Sequence, residues 1–312
     1  MKKLFIFDLD NTLGRKTPSW PAITRLNADF LRQLADSGGN LMFFATGRPR
    51  SQAFLAFRHG GISGEEVYKI FPGGVYEDGH FVESREKVLY NSVNESAEIF
   101  RKAKSGFFDD EAKSFFRENG FLLFPGFILR GKESPFAVLD YSEQNTGSEL
   151  TVPELIPLYQ QGNDVRETYK LPQEFLDDSL QAQKPIFQEV RKTVLAYLGL
   201  RFPNWQEGVE LVTWEDAVEI YPKLKGKHFL KGEGLAKLLP STDSRIKVYV
   251  CCDGRNDISL VDYIAERFSN YHVICPSNVS SELKKSLEEG NYNHTILEQD
   301  CSKLTEGLEK LV

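Results

Sequence analysis

Four short stretches carry the residue types that phosphoryl chemistry uses. Asp8 and Asp10 stand two positions apart in Phe7-Asp8-Leu9-Asp10-Asn11-Thr12. Carboxylates placed this close repel each other and call for a cation, a shared proton or solvent. Thr46 opens Thr46-Gly47-Arg48-Pro49, where a hydroxyl and free backbone N–H groups at a helix start suit a phosphate oxygen. Lys231-Gly232 offers an ammonium that can neutralise a phosphate or hold a nucleophilic carboxylate. Asp253 and Asp257 flank Asn256 in Asp253-Gly254-Arg255-Asn256-Asp257; oxygen donors of this kind match the octahedral preference of Mg2+.

Each stretch taken alone also has an ordinary structural reading. Asp8 or Asp10 can cap the element after a strand, Thr46 can be an N-cap with Gly47 making the turn, Lys231 can be a solvated lysine near Lys225 and Lys227, and Asp257 can cap a helix after a glycine turn. The balance changes when they are placed on elements. Leu4–Phe7 and Asn40–Ala45 are short continuous apolar runs, the pattern of buried parallel strands. The run 21–37, with Ile23, Leu26, Phe30, Leu31 and Leu34 at helical spacing, closes at Gly38-Gly39. A helix is expected over 49–58, a strand over 68–71 broken by Pro72-Gly73-Gly74, a helix over 231–239, a strand over 246–251, a helix over 257–268, a strand at 273–274 and a helix over 280–288. Strand alternating with helix is the grammar of a doubly wound, Rossmann-like α/β sheet. In such a sheet ligands bind beyond the carboxyl ends of the strands, and three strands of this one end in acids or in Thr46.

Between these pieces the grammar changes. Residues 80–90 alternate like a hairpin arm, 94–119 read as helical, 121–129 and 135–141 as strands, 186–198 as a helix, and 209–213 with 217–221 as an antiparallel pair. The polar stretches 142–151 and 172–184 read as loop. This is an α+β block inserted in the core, so the expected domains are a core of 1–79 and 228–312 and an insertion of 80–227.

The four stretches, in this order, resemble the motifs of the haloacid dehalogenase (HAD) superfamily, specifically its phosphatases: Asp-x-Asp-x-Thr at Asp8–Thr12, Thr-Gly-Arg at Thr46–Arg48, the lysine at Lys231, and Asp-x-x-Asn-Asp at Asp253–Asp257. The insertion lies where that superfamily places a C2-type cap, and Val218-Glu219-Ile220-Tyr221-Pro222 is similar to the cap exit of the Cof-like and sucrose-phosphatase-like branches. Asn11 stands where Gly is more usual, Cys252 where Gly is common, and Pro72-Gly73-Gly74 where Asn-Gly-Ala often occurs.

The resemblance implies a phosphoric monoester hydrolase. Asp8 would be the nucleophile and Asp10 the general acid and base. Thr46, Gly47, Arg48, Lys231 and Asn256 would bind the phosphoryl group. Mg2+ would be held by Asp8, the backbone carbonyl of Asp10 and Asp253, with Asp257 orienting that shell. A carboxylate at Asp10 suits ester cleavage, because an alkoxide leaving group needs a proton, and argues against dehalogenation. The cap position favours a small phosphorylated metabolite, a sugar phosphate above others. Arg130, Lys132, Tyr141, Glu143 and Tyr169 of the insertion are residues that could reach it or equally stand as ordinary surface residues, and none is singled out. A phosphomutase, a phosphatase for a nucleotide or flavin phosphate, and a non-catalytic binding protein on the same fold are the alternatives.

Composition narrows the field. The 312 residues are 41% hydrophobic and carry a formal charge of -7, which argues against a broad nucleic-acid or anionic-lipid footprint. The four cysteines show no zinc-like spacing, and Asp8 interrupts the first apolar run too early for a signal peptide. A reduced, cytoplasmic setting and no membrane span are expected.

Overall fold

A computed structural model describes residues 3–16, 21–48, 50–92, 98–106, 109–124, 127–130, 136–141, 184–213, 217–223, 230–239 and 246–311. The chain divides into two compact units, Met1–Asn91 with Phe229–Val312, and Ser92–His228.

The first unit opens with β1 (Lys3–Phe7), whose Leu4, Phe5, Ile6 and Phe7 are all buried. A short antiparallel pair, β2 (Gly14–Lys16) and β3 (Pro21–Ile23), follows. Helix α1 (Arg25–Asp36) starts at Thr24, whose hydroxyl accepts the Asn27 N–H, and stops before Gly38 and Gly39, both at positive φ. Next come β4 (Leu41–Ala45), α2 (Arg50–His59), α3 (Gly64–Ile70) and β5 (Gly73–Tyr76). The strand expected over 68–71 is therefore helix, and the strand lies five residues later. Ser63 and Glu66 form a reciprocal capping box that starts α3, and Val67 and Ile70 face the core at helical spacing. Gly73 and Gly74 are strand residues because the sheet leaves no room there: a Cβ on Gly74 would stand 2.5 Å from the Phe44 ring, and one on Gly73 would stand 2.7 Å from the Glu83 carbonyl. Strands β6 (Phe81–Ser84) and β7 (Val88–Asn91) pair antiparallel beyond β5. Residues 80–91, expected in the insertion, thus extend the core sheet, and the second unit begins at Ser92.

In the second unit the helical stretch 94–119 is two helices, α4 (Glu98–Gly106) and α5 (Asp110–Glu118), the second capped by Asp109 accepting the Ala112 N–H. The strand-like run 121–129 is a hairpin of β8 (Phe121–Phe124) and β9 (Phe127–Arg130). After β10 (Phe136–Tyr141), α6 (Lys184–Arg201), β11 (Val209–Thr213) and β12 (Ala217–Pro222) complete a five-stranded sheet in the order β11-β12-β10-β9-β8. Phe100, Phe116, Val190, Val194, Tyr197, Trp205 and Ile220 share this unit's own core. Lys132, Glu143 and Tyr169, the loop stretch 142–151 and residues 172–183 lie outside the described residues, as do the side chains of Arg130 and Tyr141.

The chain then returns to the first unit through α7 (Lys231–Leu238), β13 (Lys247–Cys251), α8 (Ile258–Arg267), β14 (Tyr271–Cys275), α9 (Ser281–Glu289), β15 (His294–Ile296) and α10 (Leu304–Leu308). The eight-stranded sheet runs β15-β14-β13-β1-β4-β5-β6-β7, parallel from β15 to β5 and antiparallel beyond. It is a doubly wound, Rossmann-like α/β core. From β1 the chain winds outward through β4 and β5, then returns to the other side of β1 at β13. The winding direction reverses there, between β1 and β13, and ligands of such sheets bind beyond the carboxyl ends of the strands at that reversal. Among the described residues no helix is long and apolar enough to cross a membrane.

Candidate active site

The carboxyl ends of β1, β4, β5 and β13 converge in the first unit. Asp8 follows β1 directly, and its N–H donates to the Cys251 carbonyl at the end of β13 (2.8 Å). Asn11 takes φ 53° in the turn after it; Asn tolerates this left-handed conformation, which is why it can stand where glycine is more usual. Asn27, fully buried, clamps the far side of this loop by donating to the Leu13 and Cys301 carbonyls (2.7 and 2.8 Å).

Lys231 is the centre of the charge arrangement. Its Nζ donates to Asp8 Oδ1 (2.7 Å) and to Asp257 Oδ1 (2.6 Å), and all three residues are no more than 3% exposed. Helix α7 brings the lysine in because Gly232 lets it press on α8: a Cβ there would meet the Ser259 carbonyl at 2.2 Å. Asp257 spends its second oxygen on the backbone N–H groups of Asp253 and Gly254 (3.3 and 2.9 Å). Asp253 accepts the Thr12 hydroxyl at Oδ1 (2.9 Å). Thr46 is buried, its N–H donates to the Val75 carbonyl, and its Oγ1 accepts the Arg48 N–H (3.1 Å).

The structure thus brings together Asp8, Thr46, Lys231, Asp253, Asn256 and Asp257, and pairs the other two expected side chains, Asp10 and Arg48, with each other. The Asp10 carboxylate is turned to Arg48, whose Nε lies 2.9 and 2.8 Å from its two oxygens. Asp10 is therefore outside the carboxylate cluster, which consists of Asp8, Asp253 and Asp257 with one oxygen of each within 4.8 Å of the others. The Arg48 Nε is correspondingly committed to Asp10.

One acid at the site was not foreseen. Asp78 follows β5, buried, and its Oδ1 accepts Asn256 Nδ2–H (3.2 Å). Its own N–H donates to the Thr46 carbonyl (3.2 Å), and the Glu77 N–H to the Arg48 carbonyl (3.1 Å). The signal was present in the sequence as Glu77-Asp78-Gly79, an acid-rich strand end like the others. Assigning the strand to 68–71 placed that end at the wrong residues.

Burial and mutual repulsion dominate the electrostatics of the cluster. Burial pushes the Asp8 carboxyl well up, with Asp257, Asp253 and Asp10 adding to the rise and Lys231 opposing it. Burial, then Asp257, push Asp253 up to about 7, against the Thr12 hydroxyl and Lys231. Burial works against the charge on Lys231, but Asp257, Asp8 and Asp78 outweigh it and hold the ammonium well above its ordinary value. One ammonium does not neutralise this many buried carboxyls. An oxygen-seeking divalent ion would fit the donor set of Asp8, Asp253 and Asp257.

No protein-family model matches the chain. No curated protein sequence matches it either. Solved structures do. A structure reported with the conservation of a trigonal-bipyramidal intermediate in a phosphoryl-transfer superfamily aligns over 100% of this chain and 97% of its own, at TM-score 0.50 and 16% identity. A HAD subclass IIB sugar phosphatase aligns over 99% and 97%, at TM-score 0.48 and 16% identity. The C-terminal domain of trehalose-6-phosphate phosphatase from C. albicans aligns over 99% and 91%, at TM-score 0.49 and 12% identity. The first of these shows the shared fold.

Proposed function

We propose that this chain is a Mg2+-dependent phosphomonoester hydrolase that acts on a small phosphorylated metabolite, a sugar phosphate being the leading class, through an aspartyl phosphate on Asp8. The observation that carries the reading is the buried Lys231, shared between Asp8 and Asp257 beside Asp253 at the reversal point of the sheet. A nucleophilic carboxylate there stands at the strand end, where the adjacent ammonium opposes the burial that favours its neutral form. The fold of the phosphoryl-transfer structure described above agrees with this chemistry.

Asp8 attacks phosphorus and the bond to the leaving oxygen breaks. Asp10 gives that oxygen its proton, and the resulting carboxylate is received by Arg48, the pairing seen in the structure. Asp10 then takes a proton from water, the water oxygen attacks phosphorus, and the bond to Asp8 breaks to release inorganic phosphate. Thr46 Oγ1, the Gly47 backbone, Lys231 and the Asn256 amide bind the phosphoryl oxygens, where charge develops. Held by Asp8, Asp253 and the Asp10 backbone carbonyl, Mg2+ would supply Lewis-acid neutralisation of those oxygens. The inserted unit is assigned the selection of the substrate.

The test is inorganic phosphate release from a panel of phosphorylated metabolites, sugar phosphates included, with Mg2+ and with chelator. Turnover that needs Mg2+ and disappears in Asp8→Asn is expected. Near-normal turnover by that variant would overturn the assignment of the nucleophile, and a product with its phosphate moved rather than released would make the protein a mutase.

A further inference from the structure

We infer that Asp78 is a positioning residue of this site, holding the Asn256 amide in the orientation that meets the phosphoryl group. Three loops meet at its carboxylate. Its Oδ1 accepts Asn256 Nδ2–H across to the loop after β13. Both its oxygens lie 3.2 Å from where a Cβ on Gly47 would stand, so the loop after β4 is glycine at the point of closest approach. Its own backbone belongs to the loop after β5, where Glu77 and Asp78 both take φ 49° and Gly79 follows at 104°. Consecutive non-glycine residues in this conformation are uncommon and persist where the surroundings over-determine them.

The surroundings here are visible. The Asp78 N–H is tied to Thr46 O and the Glu77 N–H to Arg48 O. Helix α7 packs on the turn so closely that a Cβ on Gly234 would stand 2.8 Å from Gly79 Cα. The turn that carries Asp78 is therefore locked to the same helix that presents Lys231 and to the same loop that presents Thr46.

An asparagine amide has two N–H donors and one carbonyl oxygen. With one N–H given to Asp78, rotation of the amide is blocked and the remaining N–H has a defined direction. Without Asp78 the amide is free to turn its oxygen toward the phosphoryl group, which repels it. Through this pairing Asp78 acts on substrate by way of Asn256, and the effect of the pairing falls on binding of the phosphoryl group in ground and transition state alike. This rests on the phosphatase reading for its kinetic consequence but not for the pairing itself.

The experiment compares wild type, Asp78→Ala, Asp78→Asn, Asn256→Ala and the double alanine variant in the presence of Mg2+. Loss of one oriented hydrogen bond should raise KM by about tenfold and leave kcat within about threefold. Asn256→Ala should do the same, and the double variant should be no worse than either single one, since the two residues act as one unit. Asp78→Asn, whose amide oxygen can still accept the bond, should recover most of the loss. Half-saturation by Mg2+ should not move. Unchanged KM in Asp78→Ala, multiplying effects in the double variant, or a fall in kcat alone would overturn the proposal. The side-chain amide resonances of Asn256, identified by their loss in Asn256→Ala, supply a readout independent of turnover: they should shift in Asp78→Ala and hold in Asp78→Asn. If wild type released no phosphate from any substrate, the phosphatase reading would fail, and these resonances would still decide the pairing.

Discussion

At the scale of single residues the site is governed by how many carboxylates one buried ammonium can satisfy. Lys231 serves Asp8 and Asp257 while Asp253 stands beside them. Removing one partner of a buried ion pair strands the rest, so Lys231→Ala without added metal should cost about 3–5 kcal/mol in chemical denaturation. Mg2+ should recover part of that loss. Asp8→Asn removes a charge rather than stranding one, so it should keep the stability of the folded protein or raise it in chelator, while phosphate release falls by on the order of 10^3-fold or more.

The same residues set a pH dependence. The folded Asp253 carboxyl titrates at about 7, against about 3.9 in an unfolded chain. Between these values the folded state holds the proton that the unfolded state has lost. The stabilisation is therefore complete below about 3.9 and is lost as pH rises through about 7. In chelator the melting temperature should fall between pH 5 and pH 8 for this reason. Mg2+ needs the ionised carboxylates, so it should raise the melting temperature more at pH 8 than at pH 5. A metal response independent of pH would contradict the cluster as the binding site.

At the scale of elements, two local choices put the loops where the chemistry needs them. The capping box at Ser63 and Glu66 makes 64–70 a helix and sends the strand to 73–76. Ser63→Ala should cost about 1 kcal/mol by denaturation and leave turnover unchanged, because the cap is remote from the strand ends. Gly74 admits the Phe44 ring, which packs edge-on against Phe57, Phe71 and Tyr76. Gly74→Ala forces β4 and β5 apart and should cost about 1–3 kcal/mol. Since Thr46 ends β4 and Asp78 follows β5, this variant should also lose activity, which separates it from Ser63→Ala.

At the scale of the whole molecule, the chain has two compact units with cores of their own. Leu31 lies in the first core and Val194 in the second. Calorimetry should resolve two contributions to unfolding, with Leu31→Ala lowering one and Val194→Ala the other. Every residue assigned to the metal is in the first unit, so Mg2+ should raise the transition that Leu31→Ala lowers. Equal shifts of both contributions would mean that the units unfold as one.

Much of this was legible in the sequence, for a definite reason. Buried parallel strands are continuous apolar runs, so Leu4–Phe7, Asn40–Ala45 and Ile246–Cys251 announce themselves, and the polar residues that end them stand out by contrast. That was enough to nominate Asp8, Thr46 and Asp253 as neighbours across gaps of tens to hundreds of residues. The fourth strand end of this kind, at Asp78, was hidden because Tyr68-Lys69-Ile70-Phe71 is as apolar as a strand and Gly73-Gly74 is a poor strand former by propensity. Which segment entered the sheet was decided by the space beside Phe44, a contact no local pattern contains. The pairing of Asp10 with Arg48, and the choice of Lys231 over Lys225 and Lys227, likewise depend on where side chains meet after packing. Sequence by itself determined the α/β grammar and the kinds of residue at the strand ends, because both are written in local hydrophobic pattern. Only the tertiary structure decided which carboxylates share the ammonium, because that is set by distances between elements far apart in the chain.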